Sequence, residues 1–143
     1  MKRLLLVATA SFALSSCTTA AAPPPTVPPP PPCPVESSAQ WRAWVDAMPG
    51  PNARPTLNVS GTVRTAYGGW AMSFGPDLIV MESYPVQTVV EIVAVPPAEA
   101  LMTQGVASYD LHGRWPVNPP VGSVTVRCRG KELARIAPVG TAH

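Results

Sequence analysis

The chain has 143 residues, of which 20 are proline and only 13% are charged. Its ten basic and eight acidic residues give a formal net charge of +2, which is too even a balance for a strongly basic nucleic-acid-binding protein. We therefore expect no nucleic-acid partner. The charge is unevenly spread, because Leu111–His143 holds five basic residues and one acid, Glu132.

The N-terminal residues are typical of a secretion signal. Lys2 and Arg3 precede an apolar run, Leu4–Leu14. A run of this length between such flanks indicates a signal peptide that is removed, and is too short for a stable membrane-spanning helix. Without Lys2 and Arg3, eight basic residues remain against eight acids, so the side-chain charges of the mature protein sum to zero.

The end of this run, Leu14-Ser15-Ser16-Cys17, resembles the lipobox of bacterial lipoproteins. The resemblance implies a signal peptide over residues 1–16 and lipidation of Cys17, whose acyl chains would hold the protein on the membrane. The next residue is Thr18 and not aspartate, which favours the periplasmic face of the outer membrane. The alternative is ordinary cleavage near residues 19–22, which would release a soluble protein.

Residues 17–35 form the predicted linker, which contains Pro23–Pro25 and Pro28–Pro32. Successive prolines fix φ and lack N–H donors, so they exclude helix and sheet and favour polyproline II, at about 3.1 Å per residue. We interpret the segment as a stiff spacer between the lipid and the domain. The alternative is a proline-rich ligand for an aromatic groove on a partner.

Two cysteines, Cys33 and Cys128, remain once Cys17 is assigned to lipid. The periplasm is oxidising, and one thiol lies at each end of the predicted domain. A Cys33–Cys128 disulfide is a simpler interpretation of this pair than a metal site or a catalytic nucleophile.

The predicted globular domain covers residues 36–143 and opens with a helical pattern. Trp41, Trp44, Val45 and Met48 recur at the spacing of one helix face, after serines able to cap it. The pattern predicts one short N-terminal helix whose tryptophans pack into the core. A ligand-binding shelf of two tryptophans is the alternative.

From Thr56 onward the apolar period changes from 3.6 to 2, and turn residues follow at close intervals. We expect a mainly β domain, a small antiparallel β-sandwich or barrel of six to seven strands with the one helix. A helical turn is expected near Ala98–Met102, and Gly130-Lys131 suits the loop of a late hairpin. The predicted strand segments are 57–63, 70–74, 78–82, 86–95, 106–111, 124–129 and 133–139.

The sequence holds few residues that carry chemistry. Asp110 and His112 lie two apart on one side of a predicted strand, where they could hold zinc or a catalytic water, but a zinc site needs a third protein ligand. No nucleophile elbow, phosphate loop or zinc-protease motif occurs. We therefore predict no enzyme activity, no metal and no cofactor.

The basic C-terminal end predicts one candidate binding surface. Strand alternation places Arg127 and Arg129 on one face, with Lys131 in the adjoining loop. With a Gly130-Lys131 loop, Arg135 would share the face of Cys128. Arg127, Arg129 and Lys131 then form a possible patch for an anionic envelope polymer, although such a cluster is also typical of a solvated surface.

Segments such as Val124-Thr125-Val126-Arg127-Cys128 and Tyr84-Pro85-Val86-Gln87 through Pro96-Pro97 resemble parts of small proteobacterial lipoproteins of unassigned function. The resemblance implies a lipid-anchored module of the cell envelope, without catalysis, that binds a periplasmic protein or an envelope polymer. The alternative is an inhibitor of a hydrolase such as lysozyme or a protease, by analogy of size, anchor and single disulfide.

Overall fold

The computed structural model of the protein describes residues 29, 31–51 and 53–143. The predicted signal peptide 1–16, Cys17 and most of the linker 17–35 lie outside these residues. The described part contains eight strands and one short 3-10 turn, Glu99–Leu101, where the sequence predicted a helical turn. The strands are β1 (Val35–Asp46), β2 (Thr56–Thr65), β3 (Ala71–Met81), β4 (Val86–Val95), β5 (Ala107–Pro116), β6 (Val121–Cys128), β7 (Lys131–Ile136) and β8 (Gly140–Ala142).

The eight strands of the described part form two four-stranded sheets that are not closed into a barrel. Sheet 1 has the order β5-β2-β1-β8, and sheet 2 has the order β3-β4-β6-β7. The predicted mainly β sandwich is therefore confirmed. The expectation of a purely antiparallel arrangement is wrong, because β1 pairs with β8 and β4 pairs with β6 in parallel. The predicted six to seven strands omitted β1 and β8.

The predicted N-terminal helix is wrong: Val35–Asp46 is strand β1, and the described residues contain no α-helix. Trp41 and Val45 share an inward face under both a helical and an alternating pattern, and the small Ala43 between them hid the alternation. A lone helix of this length is marginal in water. As a strand, the segment is paired by backbone hydrogen bonds on both sides, to β2 and to β8.

Strand β2 shows the alternation that the sequence predicts. Leu57, Val59 and Val63 are buried between the sheets, whereas Ser60 and Thr62 point to the outer face of sheet 1. Strands β4 and β6 also direct alternate residues toward sheet 1, and each buries one further residue, Val89 in β4 and Ser123 in β6. The largest fully buried side chains of the core are Leu57, Ile92, Val45, Val59, Val63, Val90, Val124 and Val126.

Three aromatic side chains, one each from β1, β3 and β5, pack between the sheets. Phe74 lies 6.3 Å from Trp41 and 5.5 Å from Trp115 between ring centroids, the second pair edge to face, a favoured aromatic geometry. Trp41 lies over Gly61, and Trp115 folds back over Gly113, so a methyl group at either glycine would overlap an indole ring. These glycines let large rings fit between closely spaced strands.

Strand β3 joins two segments that the sequence separates. The ladder to β4 is interrupted between Phe74 and Leu78, so Gly75-Pro76-Asp77 is a bulge within one strand and not a turn between two. The indole Nε1 of Trp115 donates to the carbonyl oxygen of Pro76 at 3.1 Å. The bulge thus holds the first half of β3 against β5 of the other sheet.

The Cys33–Cys128 disulfide is present, as predicted, with a Cα–Cα distance of 5.6 Å. Cys33 precedes β1 of sheet 1, and Cys128 ends β6 of sheet 2 and is fully buried. The bond therefore joins the two sheets covalently and closes a loop with a sequence separation of 95.

We expect Cys33→Ala to lower the free energy of unfolding by about 2–4 kcal/mol, because a loop of this length restricts the unfolded chain strongly. Cys128 then remains as a small buried apolar residue. Urea unfolding measures the change, and the reduced parent protein serves as the control. Equal stability of the parent and the variant would contradict the structural role of the bond.

Gly61→Ala is expected to destabilise the domain by roughly 1–3 kcal/mol, because the added methyl group overlaps the packed Trp41 ring. The matched control is Gly140→Ala, since nothing lies within 4 Å of a methyl group there. Thermal unfolding of both variants checks the comparison, and equal loss at the two glycines would show that the Trp41 contact is unimportant.

Candidate functional site

The outer face of sheet 1 carries rows of polar side chains across three strands. Register places Arg42 of β1 beside Ser60 of β2, and Ser60 beside His112 of β5. The neighbouring row brings Thr62 beside Asp110. Segments far apart in the chain therefore converge on one surface, whose charged members Arg42, Asp110 and His112 are exposed.

A β-bulge in β1 shapes this face. Register runs from Ala39↔Thr62 directly to Arg42↔Ser60, so Gln40 and Trp41 together oppose the single residue Gly61. Gln40 has φ 58°, a left-handed conformation that costs a non-glycine residue about 1–2 kcal/mol. The extra residue turns Trp41 into the core and Arg42 to the outer face, as bulges beside binding sites commonly re-aim side chains.

An open depression of about 480 Å³ lies beside the bulge. Thr62 Oγ1 lies 2.7 Å from Asp110 Oδ1, to which it donates, and 3.4 Å from Gln40 Oε1. These contacts join β1, β2 and β5 across the floor of the depression. Its lining residues are Gln40, Trp41, Arg42, Ser60, Gly61, Thr62, Asp110 and His112.

On this face three arginines outnumber two acids, Asp46 and Asp110. Arg64 lies in β2 next to Ser108, and Arg114 lies in β5 next to Asn58, so both flank the row that holds Arg42. Arginine stays protonated and presents a planar fork of donors that matches carboxylate and phosphate groups. Three exposed guanidinium groups thus lie along a strip of roughly 20 Å, from the rise of about 3.3 Å per strand residue.

Trp44 adds an aromatic surface to the strip. It is 41% exposed and lies in register with Asn58, which pairs in turn with Arg114. The prediction that both tryptophans belong to the core therefore holds for Trp41 and is wrong for Trp44. Alternation along a strand sends residues 41 and 44 to opposite faces, whereas the predicted helix put them on one side.

The pair Asp110 and His112, singled out by the sequence, lies in the depression. Asp110 accepts a hydrogen bond from Thr62, which orients its carboxylate on the surface. Asp110 and His112 are both exposed on the outer face, where they contribute hydrogen-bonding groups to the floor of the site.

The late hairpin differs from the predicted one by one residue. Arg129 and Gly130 have φ values of 51° and 81° and form its two-residue loop, with Cys128 opposite Lys131. Positive φ at both central residues is the preferred geometry of such a loop. A register shift between Val126 and Arg127 then adds one residue to β7, so Arg135 lies opposite Thr125 and is exposed. The predicted placement of Arg135 on the Cys128 face is therefore wrong.

The predicted patch residues Arg127, Arg129 and Lys131 have different surroundings. Arg127 lies in register between Glu91 of β4 and Glu132 of β7, which offset its charge. Arg129 donates to the carbonyl oxygen of Pro31 and, at 2.9 Å, to that of Ala94. Lys131 is exposed at the start of β7. Arg129 thus fixes the chain entering the domain and is not directed to solvent.

Comparison of the chain with protein-family models, curated proteins and solved structures finds no match. Within the described part of the chain, no helix has the length and apolar character needed to span a bilayer. The described His, Cys, Asp and Glu side chains include no group of three or more able to hold a metal ion.

Gln40→Gly should stabilise the domain by about 0.5–1 kcal/mol. Glycine adopts left-handed φ without strain, and its greater loss of chain entropy on folding offsets part of that gain. The matched control is Gln40→Ala, which also removes the amide but keeps a Cβ at positive φ. Chemical unfolding of the two variants checks the prediction. An alanine variant as stable as the glycine variant would show that position 40 is unstrained.

Proposed function

We propose that the protein is a lipid-anchored, non-catalytic binding module of the bacterial cell envelope, and that it binds an anionic polymer on the outer face of sheet 1. The observation that carries the proposal is the strip of Arg42, Arg64 and Arg114 along this face, in which Arg42 lines the open depression. The lipid anchor itself is proposed from the Leu14-Ser15-Ser16-Cys17 sequence.

The shape of the face suits an extended ligand. The arginines are spread along the strand direction, so they match charges repeated along a chain better than one compact anion. Ser60 and Thr62 offer hydroxyl groups between the charges, and Trp44 offers a flat apolar surface with a polar edge. Carboxylates of peptidoglycan or phosphates of lipopolysaccharide have this combination of repeated negative charge and sugar surface.

Binding on such a face needs no catalytic group. Each exposed charge contact is worth only about 0–1 kcal/mol and weakens with salt, so useful affinity comes from several contacts at once. A lipid anchor would raise the local concentration of the domain beside the envelope polymers, which compensates for weak individual sites.

The test compares binding of the purified protein to isolated peptidoglycan and to lipopolysaccharide, in low salt and in high salt. Arg42→Gln/Arg114→Gln should weaken binding about tenfold in low salt, since two contacts of up to ~1 kcal/mol each are lost and 1.4 kcal/mol is a factor of ten. High salt should abolish most of the difference between parent and variant.

The matched control is Arg127→Gln/Arg135→Gln, which removes two arginines from the outer face of sheet 2. It should bind like the parent. A loss confined to this control would move the site to the late hairpin, and no binding of the parent to either polymer in low salt would refute the proposal.

A further inference from the structure

The four edge strands of the described sheets differ in how they are protected. An unprotected edge presents unpaired backbone groups to other chains, and proteins commonly block it with charges, prolines, bulges or short strands. Strand β5 carries Asp110 and Arg114, β7 carries Lys131, Glu132 and Arg135, and β8 has only three residues. The second half of β3 has none of these features.

We call this second half of β3, Leu78–Met81, the open edge. Its residues pair with β4 on one side, and β3 is the terminal strand of sheet 2 on the other. Ile79 is 53% exposed, Val80 56% and Met81 48%. Successive residues of a strand point to opposite faces of the sheet, so both faces are exposed along the open edge. The bulge at Gly75-Pro76-Asp77 protects only the first half of β3, where Trp115 holds it against β5.

A second feature adjoins the open edge. Beyond Trp115 the two sheets leave a cavity of about 560 Å³, the size of a typical binding pocket. Val80 lines it from β3, and Val86 and Val117 line it from the neighbouring segments. The full lining is Arg54, Pro55, Val80, Val86, Thr88, Pro116, Val117 and Asn118.

We propose that the open edge binds an extended peptide segment of another protein, which adds as a fifth strand to sheet 2 and places an apolar side chain in the cavity beside Val80. In strand addition, backbone hydrogen bonds supply affinity and pockets for alternate side chains supply specificity. The open edge provides the first and the adjoining cavity provides the second. This surface lies on the other sheet from the proposed polymer-binding face and is independent of it.

A second copy of the chain fits this edge poorly. When a two-fold axis relates two identical antiparallel strands, opposite side chains must point to the same face of the sheet. The axis therefore passes beside one residue, which pairs with the same residue of the second copy. Centred on Val80, it places Glu82 opposite Leu78 of the second copy. Centred on Ile79, it places Asp77 opposite Met81 of the second copy. Both registers set a carboxylate against an apolar side chain at each end.

The same two acids define the partner. Asp77 and Glu82 are exposed on either side of the apolar residues of the open edge. Opposite charges directly across two strands stabilise their pairing. The segment that fits best therefore has apolar residues at alternate positions and a basic residue near each end.

The test uses amide hydrogen exchange of the full, disulfide-bonded chain, followed by NMR. The probes are four end-blocked nonapeptides in which threonine alternates with valine, isoleucine, leucine or phenylalanine, with lysine in place of residues 3 and 8. These lysines are five positions apart, as Asp77 and Glu82 are. At millimolar concentration at least one should slow exchange tenfold or more at Leu78–Met81 and leave β7 unchanged. The same peptide with proline at its central threonine should have no effect, because it lacks a backbone donor.

Ile79→Lys/Val80→Lys should weaken binding of the active peptide at least tenfold. The matched control, Val93→Lys/Val95→Lys, adds the same charges at 43% and 53% exposed positions of the interior strand β4 and should bind within twofold of the parent. The proposal is overturned if no peptide protects the open edge or if the edge variant binds like the control. Self-association of the free protein that only the edge variant abolishes would overturn it in favour of a second copy.

Discussion

The packing of Trp41, Phe74 and Trp115 between the sheets determines both surfaces proposed to bind ligands. Trp41 can turn inward only because β1 has an extra residue and because Gly61 leaves room for the ring. The same bulge directs Arg42 outward. At the other end of the aromatic row, Trp115 bonds to the bulge of β3 and closes the gap between sheets there, so the cavity beside Val80 begins where this contact stops.

The two proposed surfaces also differ in the interactions available to them. The outer face of sheet 1 offers side-chain charges and hydroxyl groups whose own backbone is already paired on both sides, in β2 and β1. The open edge offers backbone groups flanked by apolar side chains. A polymer rich in carboxylate or phosphate suits the first surface, and a polypeptide with free amide groups suits the second. One small sandwich can thus hold two chemically different partners without competition between them.

Much of the fold was predictable where burial is one-sided. Strands β2, β4 and β6 show alternation because one face is buried, and the disulfide followed from two cysteines in a chain with a predicted secretion signal. Strand β1 was not predictable, since a bulge and small alanines mask its alternating pattern. Strand β8 is too short to show such a pattern. The loop Arg129-Gly130 was misplaced because an arginine at positive φ has no sequence signature.

The candidate site could be predicted only in part from the sequence. Asp110 and His112 were recognised as neighbours, and the polar residues of β2 alternate visibly with its core residues. Their convergence with Arg42, Arg114 and Trp44 depends on the strand order β5-β2-β1, which local patterns do not encode. The assignment of β1 as a helix removed Arg42 and Trp44 from any sheet face. Pairing of distant segments was the missing information.

If the proposed lipid anchor tethers the domain at its N-terminal side, the Cys33–Cys128 bond sets the path of mechanical load through the domain. A pull on residue 33 reaches Cys128 through the covalent bond and enters β6, which is hydrogen-bonded on both sides, to β4 and β7. Force along β6 then shears several hydrogen bonds at once and does not peel β1 away from residue 35 one bond at a time. Reduction of the bond would redirect the same force into β1, so the oxidised domain is the form suited to anchorage under tension.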